Sequence, residues 1–281
     1  MKLAQALNRG RAILAQNAIA DASLEAELLL GHILKINRTQ LYIDLESELS
    51  PQDEKALEEL VERRLKGEPS AYIVGHREFY GREFQVNQNT LIPRPESELL
   101  VETALRLAHE RQLHTIADIG TGCGAIAVSL ALELPGTRIY ATDISPAALE
   151  AASINCQRHG VADRVILSQG DMLEPLPEPV DLIIANLPYV RESELAPTFE
   201  PTLALDGGAE GTETIDKLCR QAKGKLTDSG SILLEIGQGQ SQAITELLRQ
   251  IFVDSTIEVF PDLGGIERVV RLSLVRERVA G

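Results

Sequence analysis

Cysteine is scarce in this chain of 281 residues: only Cys123, Cys156 and Cys219 occur, scattered and without CxxC spacing. An odd, unpaired set argues against a disulfide framework and a thiolate zinc site, and no metal is expected. It fits a reducing compartment. Long apolar runs are missing too. No stretch of about 18 apolar residues occurs, so no membrane-spanning helix is expected. The opening Met1-Lys2-Leu3-Ala4-Gln5 soon meets Asn8, Arg9 and Arg11, unlike the apolar core of a secretory signal. A cytoplasmic location follows as the expectation. Basic charge is also short, with 27 Lys and Arg against 42 Asp and Glu and a net charge of −15. Residues 1–75 hold nine basic and twelve acidic side chains, so neither part of the chain is cationic. Nucleic-acid binders draw affinity from Lys and Arg on phosphates. Direct DNA binding is therefore not expected.

What is present is an ordinary globular composition, 44% hydrophobic and 25% charged, in a chain long enough for one large domain and a small one. Residues 1–75 read as helices. Leu3, Leu7 and Leu14 recur at helical spacing, and Leu24, Leu28, Leu29 and Leu30 continue the pattern after Asp21, an expected N-cap. Ser50-Pro51-Gln52-Asp53 combines a Ser cap, a Pro at the first helical position and acid in the first turn. Leu57, Leu60, Val61 and Leu65 then form one stripe, and Gly67 with Pro69 ends the helix. Residues 76–92 alternate around Gly81 as a β-hairpin linker would.

From 93 to 281 the pattern alternates between strand and helix. Strands are expected at Thr115–Ile119, Arg138–Thr142, Val165–Ser168, Asp181–Ala185, Ser231–Ile236, Thr256–Phe260 and Arg268–Leu274. Helices are expected near Glu96–His109, Ala125–Glu133, Pro146–His159, Thr214–Leu226 and Gln240–Ile251. The fold class is α/β, a mostly parallel sheet with helices on both faces. The loop Asp262-Leu263-Gly264-Gly265 is too short for a helical crossover, so the last two strands should run antiparallel.

Ligands of such sheets bind beyond the carboxyl ends of the strands. The first strand delivers Asp118, followed by Gly120-Thr121-Gly122-Cys123-Gly124 and a helix entry at Ala125. Glycines there let the backbone approach a ligand, and the helix start offers free N–H groups to a carboxylate. The same residues also satisfy a loose dinucleotide fingerprint, which keeps an NAD-binding reading open at this point. Asp143 ends the second strand 19 residues past Gly124, where a carboxylate can accept from both ribose hydroxyls. Asp171 ends the third and can accept from an adenine amino group, with Met172 packing on the ring.

The fourth strand ends in Asn186-Leu187-Pro188-Tyr189. The Asn186 carboxamide oxygen and the Leu187 backbone carbonyl can each accept one hydrogen of a substrate NH₂. Pro188 stiffens the turn, and Tyr189 can stack on a planar group. Asn186, Pro188 and Tyr189 are the catalytic candidates, and Asn186 also borders the cofactor. Two acceptors on one nitrogen aim it at an activated methyl and favour its pyramidal form in the transition state. The pattern suggests methyl transfer from S-adenosylmethionine to a planar nitrogen. An NAD-dependent oxidoreductase would need a hydride-handling side chain near the strand ends, and His76, His109, His114 and His159 all fall in hairpin, helix or helix-flanking segments.

Taken together, these residues resemble the release-factor glutamine methyltransferases, the PrmC/HemK family. The resemblance extends over most of the chain: Gly75-His76-Arg77-Glu78-Phe79-Tyr80-Gly81, Leu91-Ile92-Pro93-Arg94-Pro95-Glu96-Ser97-Glu98, Glu200-Pro201 with Ala204-Leu205-Asp206-Gly207-Gly208, Leu234-Glu235-Ile236-Gly237 with Gln240, and Asp262 to Arg268. It implies a Rossmann-like, seven-stranded S-adenosylmethionine-dependent domain behind a helical substrate-recognition domain. It implies transfer to the glutamine of the Gly-Gly-Gln motif of class-1 peptide chain release factors. Carried over by motif, Gly120 to Gly124, Asp143, Met172 and Asn186 would hold the cofactor, and Asn186 to Tyr189 the glutamine. Arg94 to Glu98 would shape the mouth of the site. One departure stands out, since the family usually has Asn-Pro-Pro-Tyr and Leu187 replaces the first Pro. Asn-Leu-Pro-Tyr is the form of rRNA adenine N6-methyltransferases, the alternative reading. Those enzymes place their extra helical domain after the catalytic one.

Overall fold

The computed structural model describes residues 1–274, and the elements counted below are those of the described residues. Residues 275–281, the end of the domain expected over 93–281, lie outside them. The chain divides into two compact units, Met1–His76 and Arg77–Gly281.

The first unit holds α1 (Leu3–Gln16), α2 (Ala22–Leu34), α3 (Arg38–Ile43), α4 (Pro51–Leu65) and α5 (Ser70–Val74). Its strongest sequence signal is realised at α4, where Ser50 Oγ accepts from the Asp53 amide at 3.1 Å and Pro51 opens the helix. Asp21 does occupy the position before α2, yet it adopts a left-handed conformation (φ 52°) and its side chain caps nothing. Leu3, Leu7, Leu14, Leu29, Leu30, Leu41, Leu57 and Val61 form the core. Leu24, Leu28 and Leu65 are exposed instead. In a Leu-rich helix, two faces compete at the same spacing, and in α2 Ala26, Leu29 and Leu30 occupy the buried one. Glu27 is buried among them. It accepts from Arg11 at 2.5 Å and Tyr42 Oη at 2.7 Å and is ion-paired with Arg38 at 2.6 Å, which offset the cost of burying a carboxylate.

The second unit begins at Arg77, inside the hairpin of β1 (His76–Phe79) and β2 (Arg82–Gln85), which turns at Tyr80-Gly81. Then come α6 (Glu98–Glu110), β3 (Thr115–Ile119), α7 (Ala125–Glu133), β4 (Arg138–Asp143), α8 (Pro146–Arg158), β5 (Val165–Gln169) and β6 (Val180–Ala185). The chain continues with α9 (Glu213–Ala222), β7 (Leu226–Glu235), α10 (Ser241–Ile251), β8 (Ser255–Pro261) and β9 (Glu267–Leu274). The seven strands from β3 to β9 form one sheet of order β5-β4-β3-β6-β7-β9-β8. The pairs from β5 to β7 are parallel, and β9 runs antiparallel to β7 and β8. The expected fold class is borne out. Alternate residues of one strand point to opposite faces. Ala117, Ile119, Ile183, Ile232 and Leu234 cluster with Ile215, Leu218, Ile244 and Leu248 of α9 and α10. Their neighbours Ile116, Ile139, Leu182, Ile184 and Leu233 are fully buried as well, so both faces are covered.

The largest boundary differences from the expectation lie between α9 and β7. The helix expected to reach Leu226 stops at Ala222, and β7 already starts at Leu226. A register shift between Val180 and Leu182 absorbs the extra residues of β7.

Asp181 staples the amino-terminal edge of the sheet. Its Oδ2 accepts from the His114 and Thr115 amides at 2.8 and 3.1 Å, and its Oδ1 from Thr227 Oγ1 at 3.1 Å. Burial alone would raise its pKa, but these donors together bring it below the ordinary carboxylate value. A depressed native pKa stabilises the fold above the unfolded-state pKa, and that contribution is lost as pH falls through the native one. Asp181→Asn should cost about 1–3 kcal/mol at neutral pH by urea denaturation, because a neutral amide oxygen replaces the charged acceptor of two backbone N–H groups. The difference from the parent protein should shrink steadily below about pH 4.

Candidate functional site

β3 and β6 are neighbours in the sheet, although β4 and β5 intervene in the chain, so the strand order reverses at β3. In the register Ile119 pairs with Ala185, which brings the glycine turn beside the Asn-Leu-Pro-Tyr loop. Crevices at such reversals are where open α/β sheets bind ligands.

Asp118, 1% exposed, does not face the crevice. It accepts from Thr121 Oγ1 at 2.6 Å and the Ala127 amide at 3.2 Å, tying the turn to the start of α7. Burial pushes its pKa up to about 7. Gly124 precedes α7 in a left-handed conformation (φ 81°), and a Cβ there would stand 3.2 Å from Ala152 Cβ on α8. The glycine permits close helix packing. Asp143 is held from two sides, its Oδ2 accepting from the Gly122 amide and its Oδ1 from the Ser145 amide, each at 2.9 Å. Burial raises its pKa against these bonds. Each oxygen keeps a lone pair for a further donor.

A cavity of about 270 Å³ lies over these strand ends, bordered by Gly120 to Cys123, Asp143, Asp171, Met172 and Asn186 to Pro188. Gly124 and Tyr189 are not on its wall. Met172 has a positive φ (53°), a costly backbone for a non-glycine residue, and its carbonyl is fixed by Thr142 Oγ1 at 2.8 Å. Asp171 is ion-paired with Lys217 of α9.

The Asn-Leu-Pro-Tyr loop is anchored almost atom by atom. Thr214 Oγ1 donates to the Pro188 carbonyl, Gln240 Nε2 to that of Tyr189 at 3.1 Å, and the Gly207 amide to that of Val190 at 2.8 Å. Among the described residues, no donor meets the carbonyl of Leu187. Asn186 Nδ2 donates to Ser97 Oγ at 2.9 Å, which leaves Oδ1 as the outward polar atom of the side chain. Tyr189 Oη donates to Glu235 Oε1 at 3.2 Å, and burial pushes the pKa of this tyrosine up.

The motif segments without individual roles in the sequence now have partners. Arg94 pairs with Glu200, whose Oε1 also accepts from the Ile92 amide at 3.0 Å. Ser97 holds Asn186, and Glu98 accepts from the Tyr80 amide at 2.8 Å in the hairpin turn. Thr214, Glu235 and Gln240 were missed as site residues, and Ser97 was placed at the mouth of the site without a role of its own. Their partners lie 26 to 89 positions away, a distance that no local pattern bridges.

Residues 5–75 match the family model described as the PrmC N-terminal domain, and residues 95–259 match the methyltransferase small domain. The release factor glutamine methyltransferase of Moorella thermoacetica is 42% identical over 274 residues, covering 95% of this chain and 97% of that protein. The chain belongs to the release factor glutamine methyltransferase family. The resemblance drawn from its motifs is thus borne out, and the protein is a methyltransferase. A second member, from Cereibacter sphaeroides, is 38% identical over 280 residues, 98% of this chain and 99% of that one. The crystal structure of a methyltransferase from Pyrococcus furiosus shares the fold, with a TM-score of 0.54 at 20% identity over 69% of this chain and 90% of that one. Leu187 is the position at which the sequence departs from the motif that carried the resemblance. It is 6% exposed and belongs to the same buried cluster as Ala185, so a leucine fills core there.

Gly207 tests the anchoring of the loop. A Cβ at this position would stand 2.7 Å from Tyr189 Cα and 2.8 Å from the Pro188 carbonyl oxygen, both backbone atoms. Gly207→Ala should cost about 1–3 kcal/mol by urea denaturation, and a crystal structure of the variant should show the loop displaced from β7. An unshifted loop with unchanged stability would contradict the packing described.

Proposed function

We propose that this protein transfers a methyl group from S-adenosylmethionine to the side-chain amide nitrogen of the glutamine in the Gly-Gly-Gln motif of class-1 peptide chain release factors. The observation that carries this reading is the pair of acceptors left open at the cavity rim. Asn186 Oδ1 and the Leu187 carbonyl stay unengaged while the carbonyls of Pro188, Tyr189 and Val190 all have donors. A glutamine NH₂ has two hydrogens, and two fixed acceptors match them.

The cavity suits the cofactor. Asp143, clamped by two backbone amides, keeps capacity for ribose hydroxyls, and the turn Gly120 to Gly124 opens onto the start of α7 for a carboxylate. Met172 borders the cavity where an adenine ring would lie, and Asp171 reaches it from its ion pair with Lys217. When bound, S-adenosylmethionine supplies an electrophilic sulfonium methyl group.

The chain's own contribution is positional and electrostatic. An amide nitrogen is a weak nucleophile because its lone pair is delocalised. Acceptors on both hydrogens draw electron density onto the nitrogen and favour the pyramidal geometry that appears as the bond to carbon forms. Pro188 restrains the loop, and Tyr189 braces it through Glu235. No general base is required before transfer, because the product nitrogen becomes acidic and loses its proton to solvent. The helical unit, residues 1–75, is assigned to docking of the release factor, and the cytoplasm is the compartment where that substrate is met. The alternative, rRNA adenine N6-methylation, requires a cationic surface that a net charge of −15 does not favour.

Purified protein with labelled S-adenosylmethionine should place label on the glutamine amide of a release factor; label in rRNA adenine or DNA would contradict the assignment. Asn186→Ala should abolish detectable transfer yet weaken cofactor binding by no more than about 1–2 kcal/mol, the scale of one hydrogen bond. Asp143→Ala should do the reverse by calorimetry, with its main loss in cofactor affinity.

A further inference from the structure

Asn186 can serve as described only with its oxygen turned to the substrate. A carboxamide rotated by 180° has nearly the same shape but presents an NH₂ to the substrate NH₂. Ser97 Oγ is the partner that accepts from Asn186 Nδ2. A hydroxyl alone does not select this orientation, because Ser carries a donor as well as two lone pairs and could equally donate to a flipped Oδ1. Selection requires the Ser97 hydrogen to be committed elsewhere.

Glu235, at the end of β7, is the group placed to take it. Its side chain is 1% exposed, Oε1 accepts from Tyr189 Oη, and Oε2 is buried with no partner among the described residues. Ser97 is itself 3% exposed, and its hydroxyl favours the charged form of this carboxylate, as does that of Tyr189. Burial acts in the other direction and prevails, raising the Glu235 pKa. Two more charges face the group: Arg268, which is paired with Asp262 at 3.1 Å and favours the anion, and Glu96, which opposes it.

We propose that Glu235 is a positioning residue for the methyl transfer. As an acceptor without hydrogens, it takes that of Tyr189 on Oε1 and offers the unpartnered Oε2 to that of Ser97, so that Ser97 shows a lone pair to Asn186 Nδ2 and locks Oδ1 toward the substrate. One buried carboxylate thereby sets both ends of the Asn-Leu-Pro-Tyr loop. The inference rests on the proposed glutamine reaction and concerns how the clamp is oriented. When Glu235 is protonated, it gains a hydrogen of its own. Ser97 can then receive from it and donate to Asn186, which favours the flipped amide.

The test uses the full-length protein, S-adenosylmethionine and a Gly-Gly-Gln release factor. Ser97→Ala and Glu235→Gln should each lower kcat about tenfold, with cofactor affinity by calorimetry unchanged, and Ser97→Thr should restore most of the rate. The wild-type kcat should fall as the pH drops through the raised Glu235 pKa, and the Glu235→Gln profile should lack that acid limb. The Asn186 side-chain amide signals in ¹⁵N-resolved NMR should titrate with the same midpoint in wild type and not in Glu235→Gln, a readout that survives if the variant is only less stable. Wild-type activity with unaffected variants, or with Asn186 signals that do not titrate, would overturn the relay while leaving the glutamine reaction standing. Absence of glutamine methylation by wild type would instead remove the reaction itself.

Discussion

Two oxygen atoms left without donors are the constraint on which this structure turns. Buried or rim carbonyls in proteins are nearly always paired, and an unpaired one carries a cost. Here the loop after β6 is secured by Thr214, Gln240 and Gly207 at three successive carbonyls, and the preceding one, of Leu187, is spared. Asn186 is anchored through its nitrogen, which spares its oxygen. The anchors come from α9, from the residue before α10, from the segment before α9 and from the residue before α6. The sheet is what brings them together, because β6 and β7 lie at its centre.

Three carboxylates in the second unit, two buried and one half-buried, show how the same group takes different parts according to its donors. Asp118 receives a hydroxyl of its own turn and an amide of α7 and stays structural. Asp143 receives two amides while still bordering the cavity, which leaves it able to accept from a ligand. Glu235 receives Tyr189 and keeps one oxygen open toward the interior. Burial raises the pKa of all three, so the shift alone does not separate these roles. Geometry does.

Much of this was legible in the residues. β3 and α7 fall where periodicity and the glycine turn put them, and the antiparallel end of the sheet follows from the short loop at Asp262 to Gly265. Those signals are local, carried by strand alternation and turn chemistry within a few residues. The exposed Leu24 and Leu28 were not legible, because a helix rich in leucine does not declare which face a neighbour will cover. Nor was Tyr189 outside the cavity wall, or Ser97 beside Asn186. An aromatic ring at a strand end suits stacking or bracing equally well, and the hydroxyl's partner, Glu235, is 46 positions away in the chain.

The most direct measurement is a crystal structure of the protein with S-adenosylhomocysteine and a Gly-Gly-Gln peptide. The glutamine nitrogen should lie about 2.9 Å from both Asn186 Oδ1 and the Leu187 carbonyl oxygen, with its free face toward the cofactor sulfur. A glutamine bound elsewhere, or an Asn186 that presents Nδ2 to the substrate, would contradict the account.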